Sequence, residues 1–222
     1  MLGILTLDTA FPRIPGDVGC AATFDFPVRY ATPRGAFVDL VVHRRDDSLL
    51  GAFVDAARDL VDDGAIGIAT TCGFLARWQP ALAEALPVPV FASALLAAGE
   101  IASGLPHGKR LGIVTYSAAD LDDETLSIAC VPAGTPAEGV APGGVFARTI
   151  RFGAPAIDAG AMAAEVAAAA RALVGRHPDV GALLLECANM PPYRDAVLAA
   201  TGRPVHDAAQ LVRAFHAGLT RR

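Results

Sequence analysis

Hydrophobic positions along the chain fall into two alternating patterns. Short apolar runs read as strands: LGILTL at 2–7, AIGIATT at 65–71, VPVFAS at 88–93, LGIVTYS at 111–117, GALLLEC at 181–187 and RPVHD at 203–207. They are too short for core helices and are bounded by turn residues. AFVDLVVH at 36–43 and GVFARTIRF at 144–152 also read as extended. Longer segments between the runs follow the helical period. After caps at Asp46, Asp47 and Ser48, a helix turns Leu49, Leu50, Phe53, Val54, Ala57, Leu60 and Val61 to one face, and Gly64 stops it. A second helix buries Phe74, Leu75, Trp78 and Leu82, with Pro80 a candidate kink. Helices follow over 94–105, 118–130 and 159–175, the last burying Met162, Val166, Ala169, Leu173 and Val174. PPYRDAVLAATG at 191–202 has Pro at its start and Gly at its end, as helices prefer, and a final helix starts at Asp207.

Strands alternating with helices predict an α/β fold with parallel sheet and helices on both faces. The pattern also repeats. LGILT (2–6) returns as LGIVT (111–115) and GAFVDLVV (35–42) as GVFARTIR (144–151), each 109 residues on. IGIATTC (66–72) pairs with ALLLEC (182–187), and VPV (88–90) with RPV (203–205), each 115 residues on. Four matches in one order predict two pseudo-symmetric lobes, each a mainly parallel sheet flanked by helices, with the active site in the cleft between them. The lobes are expected to be 1–95 plus 206–222, and 96–205.

Composition narrows the function. Hydrophobic residues reach 53%, yet no unbroken apolar run attains the roughly 18 residues of a membrane span. The opening MLGILTLDTA lacks a basic leader and meets Asp8 early, so no signal peptide is expected. A formal charge of −5, without a basic stripe, argues against a nucleic-acid partner. Cys20, Cys72, Cys130 and Cys187 show neither paired nor metal-ligand spacing, so free thiols in a cytoplasmic protein, with no metal, are expected.

Cys72 and Cys187 stand at equivalent places in the repeat, each at the carboxyl end of a strand and before a helix. Ligands of parallel α/β sheets sit at such strand ends. A helix start offers free N–H groups that favour a thiolate or hold a carboxylate. Two thiols reaching one cleft from opposite lobes could flank one carbon, one removing the Cα proton and the other delivering a proton to the opposite face. That chemistry needs no PLP or metal cofactor where pre-oriented donors stabilise the enolate.

The motifs TTCGF (70–74) and LECANMPPY (185–193) resemble the aspartate/glutamate racemase superfamily, the cofactor-independent racemases and isomerases that include glutamate and hydantoin racemases. The resemblance runs over essentially the full length. It implies a homodimer acting on a small carboxylate, with Cys72 and Cys187 as the acid/base pair. It further implies substrate-binding roles for Asp8, within LDT, and for Thr70, Thr71, Gly73, Ala188 and Asn189 beside the cysteines. Tyr116 and Ser117 occupy the corresponding place after the fifth strand. Amino-acid racemases of this family usually read Cys-Asn-Thr at the first site and Gly-Cys-Thr at the second. Here the residues are Cys72-Gly73-Phe74 and Glu186-Cys187-Ala188, which bears on how an α-ammonium group is recognised.

The resulting expectation is a racemase or epimerase of an amino acid or related carboxylate. A maleate-type cis–trans isomerase, which also uses two cysteines, is the alternative within the superfamily. A two-lobed protein that closes on a ligand without chemistry is the alternative outside it. Single residues have plainer readings as well. A cysteine at a strand end is usually a small buried hydrophobe, Asp8 can cap a turn, and Thr70 and Thr71 can simply end a strand. Glu186 can orient a thiol or join a salt bridge, and His206 can be an ordinary core histidine. The long 9–35 segment, with Arg13, Arg29 and Arg34, reads as a covering loop with solvated or substrate-facing arginines.

Overall fold

A computed structural model describes residues 1–221. Its strands are β1 (Leu2–Leu5), β2 (Val28–Ala31), β3 (Ile68–Thr70), β4 (Val90–Phe91), β5 (Arg110–Thr115), β6 (Ala137–Gly139), β7 (Val180–Leu185) and β8 (Val205–Asp207). They form two separate parallel sheets with the same order, β2-β1-β3-β4 and β6-β5-β7-β8. Identical topology in both halves is what the internal repeat predicted. Central strands are apolar on both faces because helices cover both sides: Leu2, Ile4 and Leu5 in β1, and Leu183, Leu184 and Leu185 in β7, are fully buried. Each such side chain contributes about 1.5–3 kcal/mol of burial energy.

The α-helices are α1 (Leu50–Asp62), α2 (Gln79–Ala85), α3 (Ala98–Ser103), α4 (Asp123–Ile128), α5 (Val145–Phe152), α6 (Ala159–Arg176), α7 (Arg194–Thr201) and α8 (Ala208–Thr220). Short polar side chains start several of them. Asp122 accepts from the Thr125 N–H, Asp158 from Ala161 and Asp207 from Gln210. Gly202, with φ 64°, closes α7 in the left-handed conformation. Pro80 lies in the first turn of α2, where its missing N–H costs nothing, so it starts that helix rather than kinking one. The final helix α8 turns back onto the first sheet: Phe215 stacks on Phe91, and Arg213 donates to the Thr23 carbonyl.

Two expected strands are helical. Residues 39–43 form a π-helical turn and 145–152 form α5. Val38, Val41 and Val42, and likewise Phe146, Ala147, Thr149 and Ile150, are buried. That spacing is helical, and the β-branched content of the segments disguised it. The repeat match between the segments nevertheless holds, since both are helical. The true second strands are β2 and β6, short edge strands with half-buried or exposed side chains, set between prolines and glycines. Each lies inside a stretch that reads as loop.

Candidate active site

Both cysteines fall just past a central strand. β3 ends at Thr70, and Cys72 precedes the 3₁₀ helix Gly73–Trp78; β7 ends at Leu185, with Cys187 two residues on. The two thiols line one small cavity, open to about 30 Å³ of water-sized space. Its apolar walls are Leu7, Val38, Val42, Phe74 and Ile150, and its polar walls are Thr71, Tyr116, Glu186 and Asn189, with Gly73 between. The two unexpected helical segments thus both supply walls, Val38 and Val42 from one and Ile150 from the other. No lysine or arginine is among these walls.

The thiols are each 7% exposed. Burial, then the neighbouring Glu186 charge, pushes the Cys72 thiol up to about 12, against the pull of the Phe74 and Leu75 N–H groups. Burial and then Glu186 likewise push Cys187 well above the ordinary thiol value, and the charge of Cys72 adds to this. Both shifts favour the protonated thiol. Cys187 Sγ lies 3.6 Å from Asn189 Oδ1, and Asn189 Nδ2 donates to Asp17 Oδ2 at 2.9 Å. Asp17 in turn pairs with Arg13 and accepts from the Gly19 N–H.

Glu186 is 1% exposed. Its Oε2 accepts from Thr115 Oγ1 at 2.8 Å, while Oε1 has no partner. Burial raises this carboxyl to about 7, with the Thr115 and Tyr116 hydrogen bonds opposing. A β-carbon on Gly73 would overlap Oε1 and lie 2.9 Å from Glu186 Cγ. Thr71 Oγ1 is also buried without a partner. A buried hydroxyl and a buried carboxyl oxygen on one cavity thus lack hydrogen-bond partners within the protein.

Of the residues singled out in the sequence, Cys72, Cys187, Thr71, Gly73, Tyr116 and Asn189 meet at this cavity. Thr70 lies behind it. Its hydroxyl donates to the Ala92 carbonyl at 2.7 Å and accepts from the Cys72 N–H, which fixes the turn that carries the cysteine. Ala188 accepts through its carbonyl from the Val18 N–H. Ser117 donates to Asp120 in an adjoining recess with His43 and Arg151. Asp8 is exposed and bridges to Phe37, and His206 lies within β8; neither is a cavity wall. Arg13 is engaged by Asp17, and Arg29 pairs with Asp63. Sequence reasoning missed Asp17, whose Pro-Gly-Asp setting signals only a turn, and the apolar walls Leu7, Val38, Val42 and Ile150, which carry no motif.

Comparison with known proteins fits this geometry. A profile described as Asp/Glu/Hydantoin racemase matches residues 41–214. The chain belongs to that family. Members of that family, and the named relatives, are enzymes. Seven curated relatives match, all named dimethylsulfoniopropionate lyases, and the chain spans between 45% and 72% of their lengths. The relative from Durusdinium sp. clade D is 28% identical over 93% of this chain and 71% of its own. Among solved structures, a glycine-to-cysteine variant of arylmalonate decarboxylase superposes with a TM-score of 0.63. It is 20% identical, over 98% of this chain and 92% of its own. Glutamate racemase isoform RacE1 from Bacillus anthracis gives 0.61 at 15% identity, over 98% and 82%. These likenesses place the two-lobed fold.

Proposed function

We propose that the protein is a cofactor-independent racemase or epimerase of a small carboxylate, an amino acid or a derivative of one, with Cys72 and Cys187 as its acid/base pair. The observation that carries this reading is the presence of both thiols on the walls of one cavity. One thiolate takes the Cα proton, the electron pair moves into the carboxylate as an enolate, and the opposite thiol delivers a proton to the other face. Thr71 Oγ1, an unpaired buried donor, is suited to the substrate carboxylate, and Asn189 orients Cys187. Thr70 acts through the Cys72 turn. With no cation among the walls, neutral donors must stabilise the enolate.

A second reading shares the first step. The relatives named dimethylsulfoniopropionate lyases favour β-elimination: the thiolate takes the Cα proton, Cα=Cβ forms, and a dialkyl sulfide leaves with its bonding pair. The aromatic faces of Phe74 and Tyr116 suit a sulfonium cation. Incubation of chiral amino acids, hydantoins, hydroxy acids and dimethylsulfoniopropionate in deuterated water tests both. Deuterium at Cα with loss of optical activity supports racemisation, and volatile sulfide with an alkenoate supports elimination. If no substrate in the panel exchanges or eliminates, both readings fail.

A further inference from the structure

Glu186 has no role in the reaction as drawn, yet it is buried on the cavity wall and held from both lobes. It reaches from the end of β7 to the opposite lobe, where Gly73 leaves it room. One oxygen is held by Thr115, and the other faces the cavity without a donor. The titratable groups around it are Cys72 before the 3₁₀ helix, Cys187 beside it in the chain, and Tyr116 after β5. Arg77 lies behind Cys72 and turns toward Asp47, and Asp17 lies behind Cys187 and is paired with Arg13. Burial first, and the negative charge of Glu186 second, favour the protonated form of both thiols.

Building on the two-thiol reading, we propose that Glu186 holds the proton that the thiol pair exchanges. The Cys72 S–H bond breaks and an O–H bond forms at Glu186, so one negative charge passes from oxygen to sulfur and nothing is oxidised or reduced. The thiolate then takes the substrate proton, and Cys187 gives its own proton to the other face. Neutral Glu186 returns its proton to the Cys187 thiolate, and the starting state is restored: two thiols and one carboxylate. The reverse direction runs with the cysteines exchanged. A single negative charge thus circulates among three buried groups, which the cavity tolerates better than two charges. Glu186 is a positioning residue for the proton, acting through the cysteines.

The test uses Glu186→Gln, which keeps an acceptor for Thr115 and cannot carry the proton. Iodoacetamide labelling of Cys72 and Cys187, read peptide by peptide against pH, needs no substrate. In the wild type the labelling rate should rise with pH, level off as Glu186 becomes charged, and rise again in alkali. In E186Q the plateau should vanish, leaving the thiols about tenfold more reactive on the alkaline side. On an identified substrate, kcat should fall roughly hundredfold with KM little changed, and Glu186→Asp should restore part of it. Superimposable labelling profiles, or wild-type turnover in E186Q, overturn the proposal. Should E186Q fail to fold by circular dichroism, Thr115→Val decides: without the donor, the plateau should begin at higher pH, and an unmoved onset overturns it. If no substrate is found, the two-thiol reaction fails while labelling still decides the role of Glu186.

Discussion

Asn189 Nδ2 donates to Asp17 Oδ2 at 2.9 Å, across 172 positions of sequence. This bond ties the segment after β1 to the residue beside the second cysteine. The Val18 N–H to Ala188 carbonyl bond and the contact of Gly16 with Pro192 run alongside it. Residues 16–18 therefore bridge to the segment that follows β7, and the bridge reaches Cys187 through Asn189.

Replacing Asp17 with alanine removes acceptors for Arg13, Gly19 and Asn189 together. We expect a loss of about 3 kcal/mol, as when one member of a buried pair is removed, read from urea unfolding. Faster amide exchange should be confined to residues near 16–23. Unchanged exchange there would mean that the bridge does not depend on Asp17.

Cys72→Ser and Cys187→Ser each remove one of the two proton carriers of the proposed reaction. Racemisation should drop by roughly 10²–10⁴-fold in either variant, while slow one-sided deuterium exchange at Cα can persist. Normal racemisation by both variants would rule out the assignment.

Thr71→Val replaces an unpaired buried hydroxyl with a methyl group of the same shape. Stability should hold or rise, by up to about 1 kcal/mol, because an unsatisfied polar group is removed. Substrate KM should rise about tenfold, the value of one lost hydrogen bond. A stability loss with unchanged KM would assign Thr71 to the scaffold.

Gly73→Ala forces a β-carbon against the Glu186 carboxyl. We expect about 1–3 kcal/mol of destabilisation from overpacking, much of it relieved when Glu186→Ala is added. The coupling is measured by a double-mutant cycle, and simple additivity would refute the contact.

The raised carboxyl of Glu186 also sets a pH dependence. Its ordinary value is 4.5 and its folded value about 7. Between these the folded protein binds the proton more strongly than the unfolded chain does. Glu186 thus favours folding on the acid side, and that advantage is lost as pH rises through about 7. Wild type should lose about 3 kcal/mol relative to E186Q across this window, measured by urea unfolding at stepped pH.

The sequence by itself determined the duplicated α/β pattern and the pair of cysteines at equivalent strand ends, because buried central strands and strand-end motifs write themselves into local composition. Asp207 starts α8 and Gly202 ends α7 through contacts within a few residues, so they too were legible. The edge strands β2 and β6 were not: half-exposed strands need no apolar run, and their partners lie far along the chain. The helical turn at 39–43 and α5 were hidden because β-branched residues fit either period, and only packing against the cavity chose between them. Tertiary structure alone decided that Asp17 meets Asn189, that Glu186 fills the space left by Gly73, and that Thr71 faces the cavity while Thr70 turns away. Each of these depends on where two distant segments arrive in space, which local sequence does not record.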